Sequence, residues 1–301
     1  MSTPNESYLV GLLGSGITAS LTPPLHEFAA DRAGVRYLYR PVDLDALGPG
    51  ARVAGVLPVR DLLHWGFDFG FNAFNITFPY KQAVLEHLDE VSDAAARLGA
   101  VNTVVAREGR LIGYNTDVSG FASALTQGLA PAPEDLATVT QLGVGGAGSA
   151  TADALLSLGT RTLNLFDVDI ERSSAKAQQL AALYPGATVR AVTEAELTEA
   201  LAVSTGLVNA TPIGMHHHPG TPLPLDYLHP QLWVFDVIYL PQNTPLIQKA
   251  RSIGCRVLPG GIMAVGQAAD AFELITGLSP DRAELLTHFE RLLAAQGNQL
   301  T

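Results

Sequence analysis

Residues 141–148 read Gln-Leu-Gly-Val-Gly-Gly-Ala-Gly, with glycines at 143, 145 and 148 in a G-x-G-x-x-G spacing. A β-like run, Thr138–Leu142, leads into them and a helix-forming run from Ala147 leads out. A strand that must turn into a helix within so few residues leaves little choice of fold. The first glycine permits the tight turn. The second lets a pyrophosphate reach the backbone, and the third lets helix and strand pack closely. Gly146 and Ala147 complete the turn, and the helix aims its unpaired N–H groups and positive dipole end at the phosphate. Asp167 ends the next strand nineteen residues after Gly148, where an acid accepts hydrogen bonds from an adenosine ribose. Arg172 lies one helical turn beyond it. The plainer readings are a ligand-free glycine corner and Asp167 as the cap of the helix starting near Ile170, worth about 1 kcal/mol. The whole set favours a dinucleotide-binding domain.

The rest of the pattern is α/β. Before residue 127, strand-like runs at Leu9–Leu13, Val35–Tyr39, Phe69–Ile76 and Val101–Ala106 are interleaved with helical runs. Those runs are Pro23–Ala33, Leu57–Trp65, Tyr80–Leu88 and Val118–Gln127. Residues 127–134, rich in Pro, Gly and Ala, read as a linker. A second series follows, with strands at Thr138–Leu142, Leu163–Phe166, Thr188–Ala191, Gly206–Asn209, Trp233–Val237 and Arg256–Leu258, and a helix at Ile170–Leu183. The tail from Ile262 to Ala295 is helical apart from a break at 276–280 and has no strand partner, so it is expected to pack back across an interdomain cleft. Short strands alternating with helices predict two α/β domains with mostly parallel strands.

Composition narrows the partners. With 301 residues, 29 acidic against 18 basic side chains and a net charge of −11, the surface repels nucleic acid and anionic lipid. The longest stretch without a charge, Ala200 to Leu225, holds four prolines and cannot be a membrane helix. One cysteine, Cys255, excludes an intramolecular disulfide, and the N-terminus shows no secretory signal, so a cytoplasmic protein is expected. His216 to His218 sit in a Pro/Gly-rich loop and do not make a closed ligand set, so no metal site is expected.

Three polar clusters mark the first half. Ser20 and Thr22, two apart in an extended segment, would face the same way toward a polyhydroxylated ligand. The competing reading makes Thr22 the N-cap ahead of Pro23. In Asn75-Ile-Thr-Phe-Pro-Tyr-Lys81 the lysine falls in the first turn of a helix, where the positive dipole end favours loss of its proton. A solvated surface lysine is the ordinary alternative. In Gly113-Tyr-Asn-Thr-Asp117 the acid opens a helix, complementing its dipole, and would hold the ammonium form of Lys81 if the two met.

Together these segments resemble the shikimate dehydrogenase family, and within it the quinate/shikimate dehydrogenase branch, over nearly the whole chain. The resemblance rests on Ser20-Leu-Thr-Pro-Pro-Leu-His26, Asn75-Ile-Thr-Phe-Pro-Tyr-Lys81, Gly99-Ala-Val-Asn-Thr103 and Gly113-Tyr-Asn-Thr-Asp117. It continues through Gly143-Val-Gly-Gly-Ala-Gly148, Asn209-Ala-Thr-Pro-Ile-Gly-Met215 and Gly266-Gln267. It implies a substrate-binding α/β domain (1–120, completed by helices 262–301), a Rossmann domain (121–261) and a cleft between them. The implied reaction is reversible NAD(P)-linked oxidation of the C3 hydroxyl of shikimate or quinate. Lys81 and Asp117 would be the catalytic pair. Ser20 and Thr22 would bind the substrate carboxylate, with Tyr239 nearby, and Thr77, Asn102, Asp117 and Gln267 would hold ring hydroxyls. Thr211, Gly260 and Met263 would join the cofactor site, Met263 against the nicotinamide.

Two departures carry information. Ser20-x-Thr22 replaces the Ser-x-Ser of ordinary shikimate dehydrogenases, as in the quinate-using branch. Asp167-Val-Asp169 stands where NADP-linked members carry Asn-Arg-Thr/Ser, which points to NAD. The expected protein is an NAD-dependent quinate/shikimate dehydrogenase acting on a small molecule, as a monomer or homodimer. The alternatives are a dehydrogenase for an amino-substituted relative of these acids and a non-catalytic ligand sensor.

Overall fold

The computed structural model describes residues 7–46 and 59–297. Two compact units emerge, 1–116 with 267–301, and 117–266. The segment 127–134, read as a linker, lies inside the second unit.

The first unit holds a six-stranded sheet. Its strands are β1 (Ser7–Gly14), β2 (Arg36–Asp43), β3 (Ala73–Ile76), β4 (Glu90–Val91), β5 (Thr103–Arg107) and β6 (Arg110–Tyr114), in the order β2-β1-β3-β5-β6-β4. Three of the five pairings are parallel, and the β3–β5 and β5–β6 pairings are antiparallel. Alternate residues feed opposite faces. Val10, Leu12, Ala73 and Val105 pack with Ile275 on one side, while Leu13, Phe74, Ile76 and Val104 pack with Leu63 on the other. Helices α1 (Thr22–Ala33), α2 (Val59–Asp68) and α3 (Asp93–Leu98) belong to this unit. Residues 57 and 58 of the expected second helix lie outside the described residues.

In the second unit α4 (Thr116–Gly128) leads to a wholly parallel sheet of β7 (Thr138–Leu142), β8 (Thr162–Phe166), β9 (Thr188–Val192), β10 (Gly206–Asn209), β11 (Trp233–Asp236) and β12 (Arg256–Pro259). The order β9-β8-β7-β10-β11-β12 is the doubly wound 3-2-1-4-5-6 arrangement, whose strand order reverses at β7. Helices α5 (Gly146–Ser157), α6 (Ile170–Leu183), α7 (Glu194–Ala202) and α8 (Pro245–Ser252) alternate with the strands. Next come α9 (Gly261–Thr276) and α10 (Arg282–Gly297). From Gln267 onward the tail clusters with the first unit. There Tyr8 Oη donates to Thr276 O (3.3 Å), Phe28 stacks on His288 (4.1 Å), and Arg32 pairs with Glu284.

Two expectations need correction. Phe69–Ile76 is a strand only from Ala73, because Gly70 N–H and Phe71 N–H turn back onto Phe67 O and Gly66 O. Tyr80–Leu88 is not an α-helix but a run of turns ending in a 3-10 turn at Leu85–His87. The Lys81 carbonyl accepts from Val101 N–H (2.7 Å) and is lost to an intrahelical ladder, so apolar spacing cannot make a helix there. α3, β4, β6, α7 and α8 had no counterpart in the pattern. All are short, and periodicity over so few residues is weak.

One buried group makes the first unit acid-sensitive. His26 is enclosed by Tyr37, Tyr39 and Phe272. Its Nδ1 meets Tyr37 Oη (3.0 Å), while Nε2 is buried with no partner among the described residues. Burial lowers its pKa from 6.5 to about 3, so the folded protein holds it neutral. Below pH 6.5 the unfolded chain therefore binds a proton that the folded chain does not. The stability His26 contributes is complete above pH 6.5 and falls as pH drops toward 3. Between pH 7 and pH 4 the protein should lose roughly 3 kcal/mol more stability than its His26→Phe variant. Urea denaturation of both at the two pH values checks this, and equal losses would refute it.

Candidate active site

Thr77, Lys81 and Asn102 lie past the end of β3 and before the start of β5, at the end of the sheet where β1 also ends. Thr77 N–H donates to Leu13 O (2.9 Å) and Ser15 N–H to Phe78 O (3.0 Å), joining the exits of β1 and β3. Ile76 N–H donates to Asn102 O and Val101 N–H to Lys81 O (both 2.7 Å), so the segments bearing Thr77, Lys81 and Asn102 run side by side. Asn102 is buried, and Thr116 N–H donates to its Oδ1 (2.8 Å). Lys81 is half-buried in a turn, so it does not occupy the first turn of a helix as the spacing predicts.

The Ser20 segment differs from expectation. Leu21, the one residue between Ser20 and Thr22, is in the helical region (φ −86°, ψ −3°) and not extended, and Thr22 is the first helical residue rather than the cap. Ser20 Oγ accepts from Thr22 N–H (3.2 Å), a local side-chain turn just ahead of α1, whose N-cap position is Leu21. The loop before it is held by an acid the sequence reading missed. The Asp43 carboxylate accepts from the N–H groups of Gly16, Ile17, Thr18 and Asp45 and from the Thr18 hydroxyl. The Thr18 hydroxyl and these amides keep its carboxyl below the usual range. An acid at a strand end gives no sequence signal for this, since its partners in the loop lie 25 to 27 residues back in the chain.

Asp117, Tyr239 and the coenzyme candidates belong to the second unit, and Gln267 belongs to the first. Asp117 is buried in the first turn of α4, and Tyr239 is 39% exposed. The glycine turn leaves β7 with Gly143 at φ +88°, and its N–H donates to Phe166 O (2.7 Å). A Cβ at Gly148 would stand 2.2 Å from Gly143 O, whereas one at Gly145 or Gly146 would meet nothing within 4 Å. Tight packing behind and open space in front, at the N-terminus of α5, fit a pyrophosphate. A buried carboxamide braces this turn from below. Gln141 Nε2 donates to Gly143 O and Gly148 O (2.9 and 2.7 Å), and Thr151 Oγ1 donates to Gln141 Oε1 (2.8 Å).

Asp167 lies beside the turn, its Oδ2 accepting from Val144 N–H (3.0 Å) and its Oδ1 from Asp169 N–H and the Arg172 guanidinium. Its side chain is 4% exposed, that of Arg172 52%. Burial pushes the Asp167 carboxyl up, but Arg172 and the two amides outweigh it and leave it below the usual range. The helix cap assigned to Asp167 as a plainer reading falls instead to Asp169, which accepts from Glu171 N–H and Arg172 N–H.

At the ends of β10 and β11, Thr211 Oγ1 donates to Asn209 Oδ1 (2.7 Å), and Asn209 Nδ2 donates to Asp236 Oδ1 (3.0 Å). Asp236, missed in the sequence, is buried. Burial raises its pKa to about 6 against the pull of bonds from Thr244, Ile238 and Asn209. Gly260 N–H donates to Ile238 O, and Met263 is buried in α9. His216 to His218 are exposed in a loop closed by Gly214 N–H to His218 O.

The glycine geometry separates two substitutions. Gly148→Ala forces a backbone carbonyl aside and should cost at least ~1–3 kcal/mol. Gly146→Ala enters open space and should stay within about 0.5 kcal/mol of the parent. Chemical denaturation of both variants measures the contrast, and equal losses would contradict it.

The comparisons agree with this architecture. Residues 12–104 match the shikimate dehydrogenase substrate binding domain. The chain is 54% identical over 296 residues to a shikimate dehydrogenase (NADP(+)) of Pseudarthrobacter chlorophenolicus, covering 98% of this chain and 99% of the relative. It is 45% identical over 278 residues to a quinate/shikimate dehydrogenase (NAD(+)) of Corynebacterium efficiens, covering 92% and 95%. Among solved structures, quinate dehydrogenase from Corynebacterium glutamicum in complex with NAD superposes with a TM-score of 0.89 at 42% identity, covering 95% of this chain and 99% of that one. With its parallel-rich sheets, glycine turn and near full-length identity, the chain belongs to the shikimate dehydrogenase family.

Proposed function

We propose that the protein is an NAD-dependent quinate/shikimate dehydrogenase that interconverts the C3 hydroxyl of shikimate or quinate with the 3-oxo form. The nicotinamide coenzyme, which the glycine turn and Met263 would hold, would supply the hydride acceptor and donor of the reaction. The chain's part is to orient two ligands and move one proton. Lys81 takes the proton from the hydroxyl oxygen and gives it back in the reverse direction, with Asp117 as its partner. Ser20 and Thr22 hold the carboxylate with Tyr239, and Thr77, Asn102 and Gln267 hold ring hydroxyls. Gly143, Gly145, Gly146, Ala147 and Gly148 receive the pyrophosphate, and Thr211, Gly260 and Met263 complete the nicotinamide side. The cytoplasm is the proposed compartment, and a monomer or homodimer the proposed assembly.

The observation that carries the coenzyme choice is the placement of Asp167. Its buried carboxylate sits against Val144 N–H in the glycine turn, so a ribose hydroxyl there finds an acceptor. A 2′-phosphate there would face Asp167 with Asp169 close by. At an effective dielectric of ~20, like charges some 4 Å apart repel by about 4 kcal/mol per pair before screening. The Arg172 guanidinium is already engaged by Asp167. A second reading, NADP use, is favoured by the name of the Pseudarthrobacter relative and by the exposed half of Arg172. It requires Arg172 to leave Asp167 for the phosphate.

Two kinetic outcomes test the reading, each followed by absorbance of the reduced coenzyme with shikimate and with quinate. NAD⁺ should exceed NADP⁺ by at least ~10²-fold in kcat/KM, and Asp167→Ser should narrow the gap, chiefly by weakening NAD⁺. Equal efficiencies in the unmutated enzyme would remove the role given to Asp167. Lys81→Ala should lower kcat by ~10²–10⁴ with a smaller change in substrate KM. A variant that keeps near-native kcat at saturating substrate would show that Lys81 is not the proton carrier.

A further inference from the structure

A line of hydrogen bonds crosses one face of the first sheet from β2 to the first residue of α4. Its members Tyr39, Asn75, Thr103, Asn102 and Thr116 are all 8% exposed or less. Tyr39 Oη lies 2.7 Å from Asn75 Oδ1, Asn75 Nδ2 lies 2.9 Å from Thr103 Oγ1, and Thr103 Oγ1 lies 3.1 Å from Asn102 Oδ1. Asn75 and Thr103 are register partners across β3 and β5.

The direction of the line follows from one group that cannot reverse. Thr116 N–H is a donor and nothing else, and it points at Asn102 (2.8 Å), so the carboxamide atom there is the oxygen. Thr103 Oγ1 must then donate to that oxygen. Its bond with Asn75 is therefore one in which it accepts, which puts Asn75 Nδ2 toward Thr103 and Asn75 Oδ1 toward Tyr39. Tyr39 must donate. Asn102 Oδ1 receives Thr116 N–H and the Thr103 hydroxyl, with the Thr116 hydroxyl at 3.3 Å as a further donor, and Asn102 Nδ2 donates to that same Thr116 Oγ1 (3.0 Å). A flipped Asn102 would set its NH₂ against Thr116 N–H, donor facing donor in a buried site.

We propose that Tyr39, Asn75 and Thr103 are positioning residues, a one-way relay that locks the Asn102 carboxamide with Oδ1 toward Thr103 and Thr116, so that Nδ2 and not Oδ1 is the atom that meets a substrate oxygen. The proposal rests on the reading that Asn102 holds a ring hydroxyl. It assigns that hydroxyl the acceptor role in the bond to Asn102. It also gives a purpose to a polar line in a sheet face otherwise packed with Val10, Leu12, Ala73 and Val105.

Thr103→Val keeps the volume and removes the relay's last hydroxyl, Thr103→Ser keeps that hydroxyl, and Tyr39→Phe removes the first donor. Thr103→Val should raise KM for the ring substrate about tenfold, with a smaller change in kcat and an unchanged KM for the coenzyme. Thr103→Ser should return substrate KM to within about twofold, and Tyr39→Phe should show the same selectivity with a smaller rise. A second readout needs no turnover, namely the side-chain ¹H–¹⁵N signal of Asn102, which should exchange faster with solvent in Thr103→Val and Tyr39→Phe than in the parent. Folded Thr103→Val with native substrate KM, or with both KM values rising together, overturns the relay. An Asn102 signal unchanged in both variants overturns it too. If the parent turns over neither shikimate nor quinate, the functional reading falls while the Asn102 signal still decides the relay. If Thr103→Val does not fold, Tyr39→Phe decides by the same two measurements.

Discussion

Backbone groups that leave a sheet at its edge lose their ladder partners, and in this protein a few buried amides and carboxylates take the ladder's place. Asp43 gathers four N–H groups of the loop after β1 and its own turn. Asn102 receives Thr116 N–H, Gln141 ties both ends of the glycine turn, and Asn209 with Asp236 secures the exits of β10 and β11. Every candidate for substrate or coenzyme contact other than Gln267 and Met263 sits on or beside a segment held at a strand end. Such sites gain precision because the side chains that hold them are buried, where an unmade bond costs more than in water.

The same burial sets the charges. Asp167 and Asp236 are both acids at strand ends in the second sheet, yet they diverge. Asp167 has a guanidinium and two amides to offset its desolvation and stays ionised. Asp236 has no cation among the partners that shift it, and its pKa rises to about 6. His26 shows the opposite sign for the opposite charge, driven neutral among aromatic rings. The net charge of −11 says nothing of these differences.

Much of the fold was legible in the sequence because its strands are short apolar runs punctuated by glycine and proline. Thr138–Leu142, Gly206–Asn209 and Ile170–Leu183 fall where the pattern places them. The pattern failed where a tertiary bond overrode it. Residues 80–88 have helical spacing, but the Lys81 carbonyl belongs to Val101. The Ser20–Thr22 pair looked extended, but Ser20 Oγ folds the chain onto Thr22 N–H. The glycine turn, Asp167 and Arg172 were legible as a group because their chemistry is local. Asp43 and the Asn209–Asp236 bond were not, since they join segments 25 to 27 residues apart, and the glutamine bracing the turn, Gln141, carries no spacing signal although its partners are close in sequence.

The sequence by itself determined the class of the chain. Strand and helix spacing, the G-x-G-x-x-G turn and the family motifs depend on residue types a few positions apart, where local sterics and hydrogen bonding decide. Tertiary structure alone decided which way the Asn75 and Asn102 amides face, that Asp43 gathers the loop after β1, and that Lys81 stands in a turn instead of a helix. Those outcomes depend on which donors meet which acceptors across strands, and that is settled only when the chain has folded.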